Sequence, residues 1–257
     1  MSLVRLLEKA QVQAADLAPW TNLDHPVEDS YGRQLIFADA GFEIMLMSWR
    51  PGDFSAIHDH GHAQWGAVQI FGPAEHATFR IADNVLETTA RWRVVPGSIL
   101  PVHHDLIHQM GNPSETPFLS LHVYGLETGH ESVTGDARIF DPVAGVIHRV
   151  DGGVFFALPA HQIERTETGY RGDYATRLRF LVEDVHRKLS IPTYQTGMKA
   201  VALEARIREL FDGSLCMHRQ KASSEHMEIL TQEIQAAERL AERLRRIKAV
   251  PNEVLEC

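Results

Sequence analysis

A chain of 257 residues, 44% hydrophobic and 23% charged, is long enough to bury a full core and reads as one large domain or a domain with an appendage. The formal charge of -9 argues against nucleic acid as a main partner, because phosphate binding needs a concentrated basic surface and none is visible before the mixed-charge C-terminal region. Two cysteines, Cys216 and Cys257, are too few for a disulfide framework, lack the spacing of a zinc site, and fit a reducing compartment.

The N-terminal segment places Leu3, Leu6, Leu7 and Ala10 on one stripe, interrupted by Arg5, Glu8 and Lys9, which predicts a helix. It carries no signal-peptide core and no apolar run elsewhere could span a membrane, so a cytoplasmic protein without membrane partners is expected. From 34 to 158 the chain divides into short apolar-alternating segments, among them QLIFAD, FEIMLMSW, WGAVQIF, HATFRIA and PFLSLHVY. Turn signals at Pro51-Gly52, Pro96-Gly97, Gly111-Asn112-Pro113 and Asp151-Gly152-Gly153 punctuate them. The pattern predicts a mainly β domain of jelly-roll or barrel type, not an alternation of strands and helices.

Inside this region, residues 52–60 end in His58-Asp59-His60, and a strand period of two puts both imidazoles on one face. With fifteen histidines in the chain, one His-x-His says little by itself. Its weight comes from a second half, Pro96-Gly97 followed by apolar residues and then His108-Gln109-Met110-Gly111-Asn112. Downstream, Ser120, His122 and Tyr124 share one face of a strand-like stretch, while Leu121 and Val123 share the other, which is free to look out onto the C-terminal tail. His62, His76, His103 and His104 read as loop or surface residues, with His62 the leading exception.

After Pro159 the period becomes helical. A helix over 173–189 is predicted, capped by Asp173, burying Leu178, Leu181, Val182 and Val185 and stopping before Ile191-Pro192. A second is expected over 198–211, and a third over 223–248 carries Met227, Leu230, Ile234, Ala237, Ala241 and Leu244 on a near-heptad seam. That seam predicts packing against the rest of the chain, with a homodimer through it as the alternative. The organisation expected is a domain at 1–160, including the N-terminal helix, followed by a helical extension at 161–257.

The paired motifs, a glycine with His-x-His and then a glycine, a histidine and a following asparagine, resemble those of the cupin superfamily. The resemblance implies a jelly-roll β-barrel with His58, His60 and His108 turned inward onto one metal. Many cupins add a glutamate shortly after the second histidine; here that place falls at Trp65, with Gln64 and Gly66 beside it. Three neutral imidazoles leave a divalent metal its full charge and open positions, which suits an anionic chelating ligand such as a thiolate.

The Ser120-His122-Tyr124 strand narrows the resemblance to cysteine dioxygenase and its thiol dioxygenase relatives, which carry a Ser-x-His-x-Tyr strand beside a three-histidine iron site. Tyr31-Gly32-Arg33-Gln34-Leu35 is similar to their Tyr-x-Arg-x-Leu element, and the whole resemblance covers about residues 31–156. It implies Fe(II) on the three histidines, a hydrogen bond from Tyr124 oriented by His122 and Ser120, and Arg33 meeting a substrate carboxylate beside Tyr31. Trp65 is expected to shape the substrate pocket. It also stands near the position where some relatives have a cysteine crosslinked to the tyrosine, so no such crosslink is expected here. Gly125-Leu126-Glu127 replaces a Ser-Pro-Pro turn, and the helical tail is extra. The expected reaction is addition of both atoms of O2 to the sulfur of a small thiol, cysteine first. The alternatives are another thiol acid such as 3-mercaptopropionate, a non-catalytic sensor cupin, or an isomerase using zinc or manganese, since imidazoles alone do not select the metal.

Overall fold

A computed structural model of the protein describes residues 2–39, 41–127, 132–190 and 224–246. Two sheets face one another. The first has five strands in the order β1-β2-β9-β4-β7, formed by β1 (Gly32–Ala38), β2 (Phe42–Trp49), β4 (Trp65–Ile70), β7 (Ile99–His103) and β9 (Phe118–Gly125). The second has eight, in the order β12-β11-β10-β3-β8-β5-β6-β13. These are β3 (Ile57–His58), β5 (Glu75–Ala82), β6 (Val85–Arg93), β8 (Ile107–Gly111), β10 (Ala137–Asp141), β11 (Val146–Val150), β12 (Arg165–Thr168) and β13 (Arg171–Gly172). All pairings are antiparallel except β13 with β6. This is the jelly-roll of a cupin, its barrel closed by side chains meeting between two separate sheets and not by continuous hydrogen bonding.

Strand alternation explains the layers. On β9, Leu121 and Val123 join Leu46, Ala67, Leu7 and Leu17 in a core on the outer face of the five-stranded sheet. The cover for that face comes from α1 (Leu3–Ala10) and the turn that follows it, so the N-terminal segment, not the C-terminal tail, covers Leu121 and Val123. The inner face of the same strand turns Ser120, His122 and Tyr124 towards the opposite sheet.

The sheet runs further than the composition of the tail suggests. β12 pairs with β11 and β13 with β6, so β structure continues past residue 160 to Gly172 before helix begins. Asp173 then caps α2 (Tyr174–Ser190), its carboxylate accepting from the Thr176 N–H at 2.8 Å. Leu178, Leu181, Val182 and Val185 of α2 pack against Ile229, Leu230, Ile234 and Ala237 of α3 (Ser224–Arg246), with Met227 partly buried beside them. From Met227 to Ala237 the seam is therefore covered within the chain. The expected helix over 198–211, and the side chains of Ala241 and Leu244, lie outside the described residues.

Helices and sheet are also tied by buried charge. Arg179 reaches Glu75 at 2.6 Å and Glu183 at 2.6 Å, while Arg91 reaches Glu75 at 2.8 Å and Glu233 at 2.9 Å. Glu183 in turn accepts from the Gln109 side-chain amide at 2.7 Å, so α2 is anchored to β8 one residue from His108. None of the described helices is long and apolar enough to cross a membrane.

Candidate metal centre

β3 is only two residues long, yet it fixes the centre: His58 pairs with His108 on one side and with Ile139 on the other. The Nε2 atoms of His58 and His108 lie 3.1 Å apart, and His60, just past the strand end, brings its ring centroid to 4.7 Å from that of His108. One nitrogen from each of the three imidazoles falls within 4.8 Å of the others, and all three residues are buried. The Nδ1–H of His58 donates to the Ala56 carbonyl at 2.8 Å, which leaves Nε2 as the lone-pair atom facing the cluster. Neither nitrogen of His60 has a hydrogen-bond partner. A buried imidazole with both nitrogens unsatisfied is costly unless a cation takes one lone pair, so the residues present fit a bound divalent metal.

Burial keeps these rings neutral. It lowers His58 to about 4 and holds His60 and His108 well below the ordinary histidine value, with the neighbouring imidazoles reinforcing the shift in the latter two. No carboxylate is among the three ligand candidates. Asp59 does line the cavity, but its carboxylate accepts from the Arg138 backbone N–H at 2.8 Å and from the Arg138 side chain.

The second constellation is a directed chain of hydrogen bonds. Indole N–H can only donate, and Trp49 Nε1 gives its proton to Ser120 Oγ at 2.8 Å. Among the described residues His122 Nε2, at 2.7 Å, is the one acceptor for the buried Ser120 hydroxyl proton, so Ser120 donates there. Burial, with His58 and the Arg33 charge nearby, lowers His122 to about 3, so the ring stays neutral and its one proton sits on Nδ1, which donates to the Tyr124 oxygen at 2.9 Å. The Tyr124 hydroxyl proton is thereby left to point into the cavity, next to His60, whose ring centroid lies 5.1 Å from that of Tyr124. Burial also raises the Tyr124 phenol far above its ordinary value, so it acts as a donor, not as a phenolate.

The cavity between the sheets is small, about 40 Å³, with apolar walls supplied by Met45, Met47 and Trp49 of β2, Met110 of β8 and Val154. Tyr31 lines it as well, stacked on Trp49 at 4.9 Å and held by the Val154 N–H, with burial raising its phenol to about 12. Arg33 lies opposite Met47 on the inner face of the sheet, and its charge is felt at Tyr31, His122 and Tyr124. Its guanidinium packs on Gly152, where φ is +86° and an added Cβ would lie 3.0 Å from Nη2, so this glycine lets the arginine approach the rim.

Trp65 departs from expectation. It lies opposite Gly125, 37% exposed, with its ring packed over that glycine and outside the cavity. The strand register instead puts Gly66 opposite Tyr124, where an added Cβ would come within 2.6 Å of the ring. The position under the tyrosine is thus Gly66, and Trp65 points the other way because successive strand residues alternate faces. His76 is the other correction. It is buried, not superficial, with Nε2 2.7 Å from His108 Nδ1. His103 and His104 are exposed, and His62 is half-buried with Nδ1 3.2 Å from the Ser132 carbonyl oxygen.

These depressed histidines set an acid limit for the metal-free protein. His58, His76 and His122 are neutral when folded but take a proton on unfolding below about 6.5, their ordinary value. Stability is therefore complete above about 6.5 and falls as pH drops towards 4. Urea unfolding of the metal-free protein between pH 7 and about 4 should show a loss on the order of several kcal/mol; a flat profile would mean these rings take up protons in the fold as readily as in the unfolded chain.

Residues 2–126 match the family model described as cysteine dioxygenase type I, an interval that runs from α1 to just past β9. Among solved structures, the chain is similar to a conserved protein with a double-stranded β-helix domain from Klebsiella pneumoniae subsp. pneumoniae, at 14% identity over 47% of this chain and 93% of that one, TM-score 0.33. It is similar to a cupin domain from Bordetella pertussis at 13% identity, covering 37% and 92%, TM-score 0.30. A cupin-2 domain protein from Rhodospirillum rubrum matches at 24% identity over 39% and 63%, TM-score 0.30. The matched interval contains both the three-histidine cluster and the strand that carries Tyr124, and over residues 2–126 the chain is similar to the cysteine dioxygenase type I family.

Proposed function

We propose that the protein is a non-haem Fe(II) dioxygenase that adds both atoms of O2 to the sulfur of a small thiol, with cysteine as the first candidate and cysteine sulfinic acid as product. The family implies a dioxygenase. The observation that carries the reading is the one-way chain from Trp49 through Ser120 and His122, which leaves the Tyr124 proton directed beside three carboxylate-free imidazoles. His58, His60 and His108 would hold the iron. When bound, iron would supply the redox centre at which a thiolate and dioxygen meet, making their combination intramolecular.

The stoichiometry is RSH + O2 to RSO2H: sulfur gives up four electrons, dioxygen accepts four, and the proton finishes on the sulfinic acid. The chain's own part is to bind, to keep water out and to hold one proton. Arg33, whose guanidinium lines the neighbouring pocket and meets the cavity wall at Gly152, would offer a cation to a substrate carboxylate. Tyr124 offers its hydroxyl proton to oxygen atoms of the reactants, and its raised pKa keeps that proton in place at neutral pH. Met45, Met47 and Met110 exclude water around a short carbon skeleton.

A second reading, a thiol acid without an ammonium group such as 3-mercaptopropionate, is favoured by the lining itself: its carboxylate, Asp59, is already engaged by Arg138. The deciding experiment is anaerobic loading with Fe(II) followed by oxygen uptake with cysteine, 3-mercaptopropionate and other thiols. One O2 consumed per sulfinate formed, with both oxygens from labelled dioxygen, is the expected result. No uptake with any thiol would favour a sensor.

A further inference from the structure

His76 belongs to none of the motifs that point to the centre, yet it touches it. It lies on β5, where the pairing with β8 sets Thr78 opposite His108 and His76 opposite Met110, so His76 and His108 share the inward face. The residue is 6% exposed, its Nε2 is 2.7 Å from His108 Nδ1, and the edge of the Trp92 ring packs against it with centroids 4.7 Å apart. Its Nδ1 has no partner.

Two neutral imidazoles at 2.7 Å share one proton, and which ring carries it depends on the far side of His108. Without metal, the His108 Nε2–H can donate to His58 Nε2 at 3.1 Å, and His76 Nε2–H donates to His108 Nδ1. Presenting the His108 Nε2 lone pair to a cation requires the opposite arrangement: the His108 proton on Nδ1, accepted by His76 Nε2, and the His76 proton on its own Nδ1. The unpartnered Nδ1 of His76 is the atom free to take it.

We propose that His76 is a positioning residue for the metal, which accepts the Nδ1–H of His108, fixes the tautomer and tilt that present Nε2, and reverses its own tautomer when the site fills. Ligand imidazoles commonly give their second N–H to a carbonyl or carboxylate, as His58 does to Ala56; here a second imidazole takes that place. Being neutral, His76 strengthens donation by His108 less than a carboxylate would and keeps the net charge of the centre unchanged.

The inference rests on reading His58, His60 and His108 as metal ligands, and its test does not use turnover. Affinity for Fe(II), and for Zn(II) as a diamagnetic stand-in, is measured by chelator competition in the native protein, His76→Phe and His76→Gln. His76→Phe should bind about 10- to 100-fold more weakly. His76→Gln, whose amide oxygen can accept the same proton, should recover most of the loss. In the native protein, nitrogen NMR should show the His76 proton moving from Nε2 to Nδ1 on Zn(II) binding, a readout that stands even if His76→Phe does not fold. Native affinity in His76→Phe, equal weakening in both variants, or an unchanged His76 tautomer would each overturn the role of His76. Failure of the native protein to bind either metal would instead overturn the ligand assignment.

Discussion

His60→Ala is expected to leave the protein folded but without stoichiometric iron and without oxygen uptake. This histidine gives a cleaner test than its two partners. His58 donates to Ala56 and His108 meets His76, so replacing either breaks a buried hydrogen bond as well as removing a ligand. His60 has no hydrogen-bond partner at either nitrogen, so its removal deletes a donor to the metal and little else. Two imidazoles with no carboxylate among the ligand candidates are too few to hold Fe(II) against dilution. The loss should exceed the 10- to 100-fold typical of outer hydrogen-bond partners. Melting curves separate the effects: iron should raise the melting temperature of the native protein by mass action and leave that of His60→Ala unmoved. Full iron content in the variant would remove His60 from the centre.

The legible part of the fold is the part built on local pattern. FEIMLMSW coincides with β2, PFLSLHVY misses β9 by one residue, and the capped helix over 173–189 is α2 shifted by one. Each carries its apolar period in its own residues. β12, with the sequence RTET, carries none: it is exposed along three of four positions at a sheet edge, and only its pairing with β11 makes it a strand. β13 is two residues long and joins β6 from far along the chain. Such segments take their form from a partner, which sequence period cannot report.

The centre divides the same way. His58, His60, His108, Ser120, His122 and Tyr124 stand at strand spacings, so their shared faces follow from a period of two. Trp49 was readable on the same basis, since it lies in phase with Met45 and Met47. Trp65 and Gly66 were not, because the turn after His60 sets the phase in which β4 begins, and a one-residue change exchanges the inward and outward faces. His76 depends on the register between β5 and β8, thirty-two residues apart at the contact, and nothing local encodes it. Arg33 shares a face with Met47, but its guanidinium lines a neighbouring pocket and meets the cavity wall only at Gly152, a residue from the opposite end of the domain.

Tyr124→Phe should lower kcat by about 100-fold or more while sparing iron content, in the range of a positioned proton donor. The ring packing, over Gly66 and against His60, survives the change, while the hydrogen bond from His122 Nδ1 to the Tyr124 oxygen does not. With that acceptor goes the one hydroxyl proton that the Ser120–His122 bond directs into the cavity. The same chain makes a graded expectation. Trp49→Phe removes the indole donor that holds Ser120 Oγ in place, so the Ser120–His122 bond loosens and the Tyr124 proton can turn back onto His122 Nδ1. A fall in kcat smaller than that of Tyr124→Phe, with iron unchanged, is expected. Combining the two substitutions should cost little beyond Tyr124→Phe alone, because residues acting through one hydroxyl are not additive. Steady-state kinetics with metal analysis on the four proteins checks this. Additive losses would mean that Trp49 acts through packing against Tyr31, and loss of iron in Tyr124→Phe would make the tyrosine a support for the ligands.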